Sequence, residues 1–110
     1  MSDNKYELVF CVVNAGFSGE VMEAARATGA TGGTVLHARG TANPQAEKKF
    51  NITVQPDKDA VLLVVSAEVK DAVLKAIYDK TGTDTNGNGI AFSLPVTDAV
   101  GLRKTEEKKA

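Results

Sequence analysis

Apolar residues recur along this chain with two alternating periods. From Tyr6 to Val13 it reads YELVFCVV, rich in β-branched and aromatic residues and apolar on both faces after Glu7. Such a run predicts a central strand covered on both sides. Asn14, Ala15 and Gly16 end it. Ser18 is the expected N-cap of a helix, with Glu20 in a first turn where the helix dipole favours an acid. Val21, Ala24, Ala25 and Thr28 share one face of that helix, and Gly29 stands where a C-cap glycine belongs. The next stretch, Ala30 to Thr41, reads ATGGTVLHARGT: a glycine-rich turn, one strand, a second glycine break. Within the strand Thr34–Arg39, Thr34, Leu36 and Ala38 point one way and Val35, His37 and Arg39 the other.

The second half repeats the plan. Gly40 to Lys49 carries Asn43-Pro44 and a charge cluster and is expected to be an exposed loop. Phe50–Val54 alternates as a short returning strand, Gln55–Lys58 is a turn, and Asp59–Ser66 is a nearly all-apolar strand. Val69, Ala72, Val73, Ala76 and Ile77 fall on one helical stripe, with Glu68, Lys70, Asp71, Lys75 and Asp79 facing out. Thr81–Gly89 has no apolar residue and is expected to be a loop. Ile90, Phe92, Leu94 and Val96 then alternate as a last strand, with Pro95 suited to its end or to a sheet edge. Thr97–Leu102 is expected to make a helical turn. The order β-α-β-β-α-β predicts an α+β, ferredoxin-like sandwich: an antiparallel sheet with two helices on one face, in a single domain over residues 1–103. Residues 104–110, KTEEKKA, are expected to form a charged, disordered tail. Two helices cover one sheet face only, yet the central strands are apolar on both. The bare face calls for a partner, and self-association is the simplest supply.

Composition narrows the function classes. A net charge of −1 on 110 residues argues against a general binder of nucleic acid or anionic membrane. The single cysteine, Cys11, excludes an intrachain disulfide and fits a buried structural thiol in a reducing, cytoplasmic compartment. No apolar run is long enough to span a bilayer. No catalytic constellation is present, and the protein is not expected to be an enzyme. The only histidine, His37, has no second histidine or cysteine near it in sequence, so a packed or inter-subunit role is expected rather than a zinc site. Asp84, Asn86, Asn88 and Gly89 match the opening of a calcium loop, but the required acid at its twelfth position is Pro95. The same loop reads as an anion cradle, because Gly87 and Gly89 let backbone N–H groups approach a phosphate without Cβ obstruction. Arg39 and Arg103 are its natural charge partners.

Three features together resemble the P-II family of trimeric signal-transduction proteins, in a shorter P-II-like branch. They are the stretch from Thr31 through Gly40, the β-α-β-β-α-β order, and the run from Asn88 to Val96 followed by Gly101-Leu102-Arg103. The resemblance covers residues 6–103. It implies a homotrimer of sheets around a central axis, with ATP or ADP, with or without magnesium, in the clefts between subunits. It places Val12 and Thr34 toward the base, Gly40 at the base of the partner-binding loop, and Gly87, Gly89 and Arg103 around the phosphates; with Arg39 and Asn88 beside them, these are the expected nucleotide-binding residues. It assigns the loop Thr41, Ala42, Asn43, Pro44, Gln45, Ala46, Glu47, Lys48 and Lys49 to docking on a transporter, enzyme or regulator. Residues 42–49 contain no Ser, Thr or Tyr, so control by uridylylation or phosphorylation there is not expected. The chain also departs from the family: Ile90 replaces a lysine and Gly101 an arginine. Each charge-assisted contact is worth about 1.5–3 kcal/mol, so these losses open the ligand to AMP, a cyclic dinucleotide or bicarbonate unless Arg39, Lys48, Lys49 or Lys58 compensates. A trimeric metal-tolerance protein of the CutA type shares the architecture and is the rival reading.

Overall fold

The computed structural model describes residues 5–41 and 57–102. The loop beyond Thr41, the expected strand at 50–54, Gln55 and Pro56, Arg103 and the tail lie outside them. The elements run β1 (Tyr6–Asn14), α1 (Ser18–Ala27), β2 (Thr34–Arg39), β3 (Asp57–Ser66), α2 (Lys70–Thr81) and β4 (Ile90–Val96). The strands form one sheet in the order β2-β3-β1-β4, every neighbouring pair antiparallel. Both helices pack against one face, the ferredoxin-like arrangement.

Register fixes which side chains share that face, because residues directly opposite in an antiparallel pair point the same way. Val9, Cys11 and Val13 of β1 lie across from Leu63, Val61 and Asp59 of β3, and all six are buried. Val21, Ala24 and Ala25 of α1 and Val73 and Ile77 of α2 close the core over them. An exposed ion pair between Glu23 and Lys80 joins the two helices, and the Lys80 ammonium holds the Glu23 carboxyl below its ordinary range.

The other face carries Leu8, Phe10 and Val12, Leu62 and Val64, Leu36, and Ile90, Phe92 and Leu94. Among the described residues no helix covers it, and Leu36, Val64, Ile90, Phe92 and Leu94 are exposed. Phe10 and Phe92 stack across β1 and β4 with ring centroids 5.3 Å apart.

Several boundaries differ from the sequence expectation. Phe17, not Ser18, is the N-cap of α1, and no side-chain cap bond forms there. The Phe17 carbonyl accepts the Val21 N–H at 3.1 Å, so Ser18 is already helical. Thr28 is the C-cap, with Gly29 following at φ 124°, the left-handed position where such exits place glycine. β3 begins at Asp57, so Asp57 and Lys58 are strand rather than turn. They are held by pairing on both sides, to Arg39 and Ala38 of β2 and, for Lys58, to Asn14 of β1. Ala72 is exposed rather than part of the packed stripe, Thr81 is the buried last residue of α2, and Thr97–Leu102 forms no helical turn. Gly33 has a steric reason: a Cβ there would lie 2.6 Å from Leu63 Cδ2 and 2.9 Å from the Leu62 carbonyl oxygen.

Cys11 is fully buried, and desolvation pushes its thiol up to about 11. The native chain is expected to resist iodoacetamide at pH 8 and to react once denatured, read by mass spectrometry. Because the thiol's pKa is raised from 9.0 to about 11, the unfolded chain loses this proton first. The thiol's contribution is full below pH 9 and is lost as pH rises toward 11, at up to about 1.4 kcal/mol per pH unit.

Candidate ligand-binding site at the glycine-rich loop

The loop after α2 is built against the helix end. Gly82 N–H donates to the Tyr78 carbonyl, Thr85 N–H to Gly82, and Gly89 N–H to the Thr81 carbonyl at 2.7 Å. The bonds to Tyr78 and Thr81 satisfy carbonyls in the last turn of the helix, where intrahelical partners run out. Asn88 takes a positive φ of 46°, which asparagine tolerates better than most residues. Gly89 fits under tight contact: a Cβ would meet Val13 Cγ1 at 2.6 Å and the Thr81 carbonyl oxygen at 2.7 Å.

The expected cradle of free N–H groups is not what this geometry contains. Gly87 N–H donates to Thr85 Oγ1 at 3.2 Å, Asn88 N–H to the Thr85 carbonyl at 3.0 Å, and Gly89 N–H to Thr81. All three point into the loop. The two glycines are needed for packing on α2 and β1, and attraction for an anion has to come from side chains.

One such side chain is in place. Lys58, on β3, lies directly across from Asn14 at the end of β1, and its Nζ donates to Asn14 Oδ1 at 2.6 Å. Asn14 in turn donates its Nδ2–H to the Asn86 carbonyl at 3.0 Å and its backbone N–H to the Gly87 carbonyl at 2.8 Å. Lys58 is one of the compensating cations the sequence offers, whereas Asn14 reads there only as a strand terminator. The signal that could find Asn14 is its place at the same sheet end as the glycine loop, visible only once β1 is known to pair with β4.

The other expected site residues are spread along the sheet. Val12 pairs with Ile90 and sits beside the loop, its carbonyl 3.1 Å from where a Gly89 Cβ would be. Arg39 and Gly40 lie at the same end of the sheet but on the far edge. Three strand spacings, about 14 Å, separate β2 from β4. Thr34 pairs with Leu62 in a row with Phe10 and Phe92, about 13 Å back along β2 from Ala38. Within one protomer the two glycine-rich stretches therefore do not meet, and Lys58 and Asn14 occupy the ground between them. His37 is on the helix-side face at the β2 edge, with its side chain 97% exposed, and its Nδ1 lies 3.2 Å from Oδ1 of the buried Asp59. It is neither packed in the core nor near the glycine loop. A cavity of about 300 Å³ lies behind the loop, between α2 and the start of β4, lined mostly by apolar groups including Ile77, Tyr78 and Ile90. Among the described residues no helix is long and apolar enough to cross a membrane.

A ferredoxin-like sandwich with one open apolar face and a glycine loop packed at the end of its central strand defines the class. The profile of the family Nitrogen regulatory protein P-II matches residues 6–106. The chain belongs to that family of regulatory signal-transduction proteins. It is similar to the crystal structure of Arabidopsis thaliana PII bound to citrate, with a TM-score of 0.68 and 25% identity, covering 93% of this chain and 84% of that one. A putative PII-like signaling protein from Thermus thermophilus shares the fold at TM-score 0.63 and 21% identity, covering 83% of this chain and 85% of that one. No curated protein sequence matches the chain.

Proposed function

We propose that this protein is a homotrimeric sensor that binds an adenine nucleotide, ADP or ATP, between subunits and relays its state to a partner protein through the loop after β2. The observation that carries the nucleotide reading is the Lys58 ammonium, held 2.6 Å from Asn14 Oδ1 beside the glycine loop. It supplies at this loop a cation that Ile90 and Gly101 do not. The distance between Thr34 and the glycine loop within one protomer supports a cleft shared by neighbouring subunits, the base against one and the phosphates against the other. The uncovered apolar face supports burial of that face between copies. Arg39 and Gly40, at the foot of the loop beginning at Thr41, are where occupancy of the cleft is passed on. A ligand shifts such a loop only as far as its affinity differs between the loop's conformations. The output is binding rather than chemistry.

Isothermal titration with ADP, ATP, AMP and bicarbonate, with and without magnesium, tests this. Saturable binding of ADP or ATP is expected, weakened at least about tenfold in Lys58→Met, since a charge-assisted hydrogen bond is worth about 1.5–3 kcal/mol. Absence of binding by any adenine nucleotide at millimolar concentration would sink the reading. Tight bicarbonate binding with no nucleotide effect would replace it.

A further inference from the structure

We infer that Asn14 is a positioning residue that turns the glycine-rich loop from an anion-repelling surface into an anion-accepting one. The inference deepens the nucleotide reading above and rests on it.

The three N–H groups at 87–89 are spent inside the loop, so the loop by itself offers an anion no donor there. It does have carbonyl oxygens, which repel a phosphate. Asn14 takes two of them: its Nδ2–H holds the Asn86 carbonyl and its backbone N–H holds the Gly87 carbonyl. Both negative ends are thereby turned onto the end of β1. The third contact of the same residue uses Oδ1 to hold the Lys58 ammonium. An ammonium has three donors, and Asn14 occupies one while directing the others. Asn14 thus gathers the loop's acceptors and sets the cation at the same place. The ligand group this suits is a phosphate, and preference should grow with the number of phosphates.

The chemistry requires an amide at this position. A carboxylate has no N–H for the Asn86 carbonyl, faces it with like charge, and neutralises Lys58. Asn14→Asp keeps the backbone N–H to Gly87, so the strand-to-loop junction survives the change and the variant is expected to fold.

The test titrates wild type, Asn14→Asp, Asn14→Ala, Lys58→Met and the double variant Asn14→Asp/Lys58→Met with adenosine, AMP, ADP and ATP. In Asn14→Asp the ADP affinity is expected to fall at least about tenfold, an ordinary size for a lost charge-assisted contact. The loss should grow from AMP to ATP, while adenosine stays within about twofold. Asn14→Ala should fall between wild type and Asn14→Asp. The Asn14→Asp and Lys58→Met losses should add up to clearly more than the double variant shows, because one acts largely through the other. Equal loss of adenosine and ADP, or unchanged ADP affinity, would overturn the inference while leaving the nucleotide reading intact. If wild type binds none of the four ligands, the nucleotide reading fails and this inference falls with it.

Discussion

Gly89→Ala is expected to cost this small domain a large share of its stability. The added methyl group would meet Val13 Cγ1 at 2.6 Å and two backbone oxygens, those of Thr81 at 2.7 Å and Val12 at 3.1 Å. Backbone oxygens cannot rotate away as a flexible side chain does. The loop must lift from the end of α2, and the Gly89 N–H to Thr81 carbonyl bond goes with it. Overpacking of this kind costs about 1–3 kcal/mol, and the weakened hydrogen bond adds about 1 kcal/mol. For a domain of this size the melting temperature should fall by about 10 °C or more. Gly19→Ala is the control: Gly19 lies in α1 with open space around it, and alanine there should hold or raise the melting temperature. Equal melting temperatures for wild type and Gly89→Ala would show that the loop does not pack as described. The displaced loop should also weaken the proposed nucleotide binding, since Asn14 holds it through Asn86 and Gly87.

Phe92→Asp is expected to give folded monomers in place of the proposed trimer. Phe92 lies on the open face, exposed in the single chain and stacked on Phe10. Its side chain points away from the core, so aspartate there leaves the Val9–Cys11–Val13 layer under the helices untouched. In an assembly built on this face, a charge enters an apolar junction in every copy. Losing a central aromatic anchor costs about 2–4 kcal/mol, and burying an unpaired carboxylate costs more. Light scattering after gel filtration should report monomer mass for Phe92→Asp at concentrations where wild type gives the proposed trimer's mass, with unchanged far-ultraviolet circular dichroism. A trimer that survives the change would remove the open face from the interface.

The elements with strong periodicity are legible without coordinates. β2 and β4 run over the residues their alternation predicts, and α2 buries Val73 and Ile77 as its stripe requires. The boundaries that differ have local causes. Ser18 carries a capping side chain, yet the chain enters the helix one residue earlier, with Phe17 at φ −104° and ψ 6°. Asp57 and Lys58 have turn-like polarity, but pairing with β2 and β1 extends β3 through them. Propensity is a weak prior when a ladder on both sides opposes it.

The candidate site is legible in the sequence only in part. The glycines are visible there, and their steric reason is not, because it comes from Thr81, Val13 and Val12 packed against them. The direction of the N–H groups differs from expectation for the same cause: a glycine permits an anion cradle, but the helix end and Thr85 claim the donors first. Asn14 and Lys58 are 44 positions apart and meet only through strand register. His37 and Asp59 meet in the same way across β2 and β3. Pairing between distant segments carries no local periodicity, so single-residue patterns could not announce either contact.

Native mass spectrometry of the intact protein with ADP bears most directly on the central claim, because it reads assembly and occupancy together. A trimer that takes up as many as one ADP per subunit, and loses that uptake in Lys58→Met while remaining a trimer, is the predicted result. A monomer, or a trimer that stays empty at millimolar ADP and ATP, would contradict it.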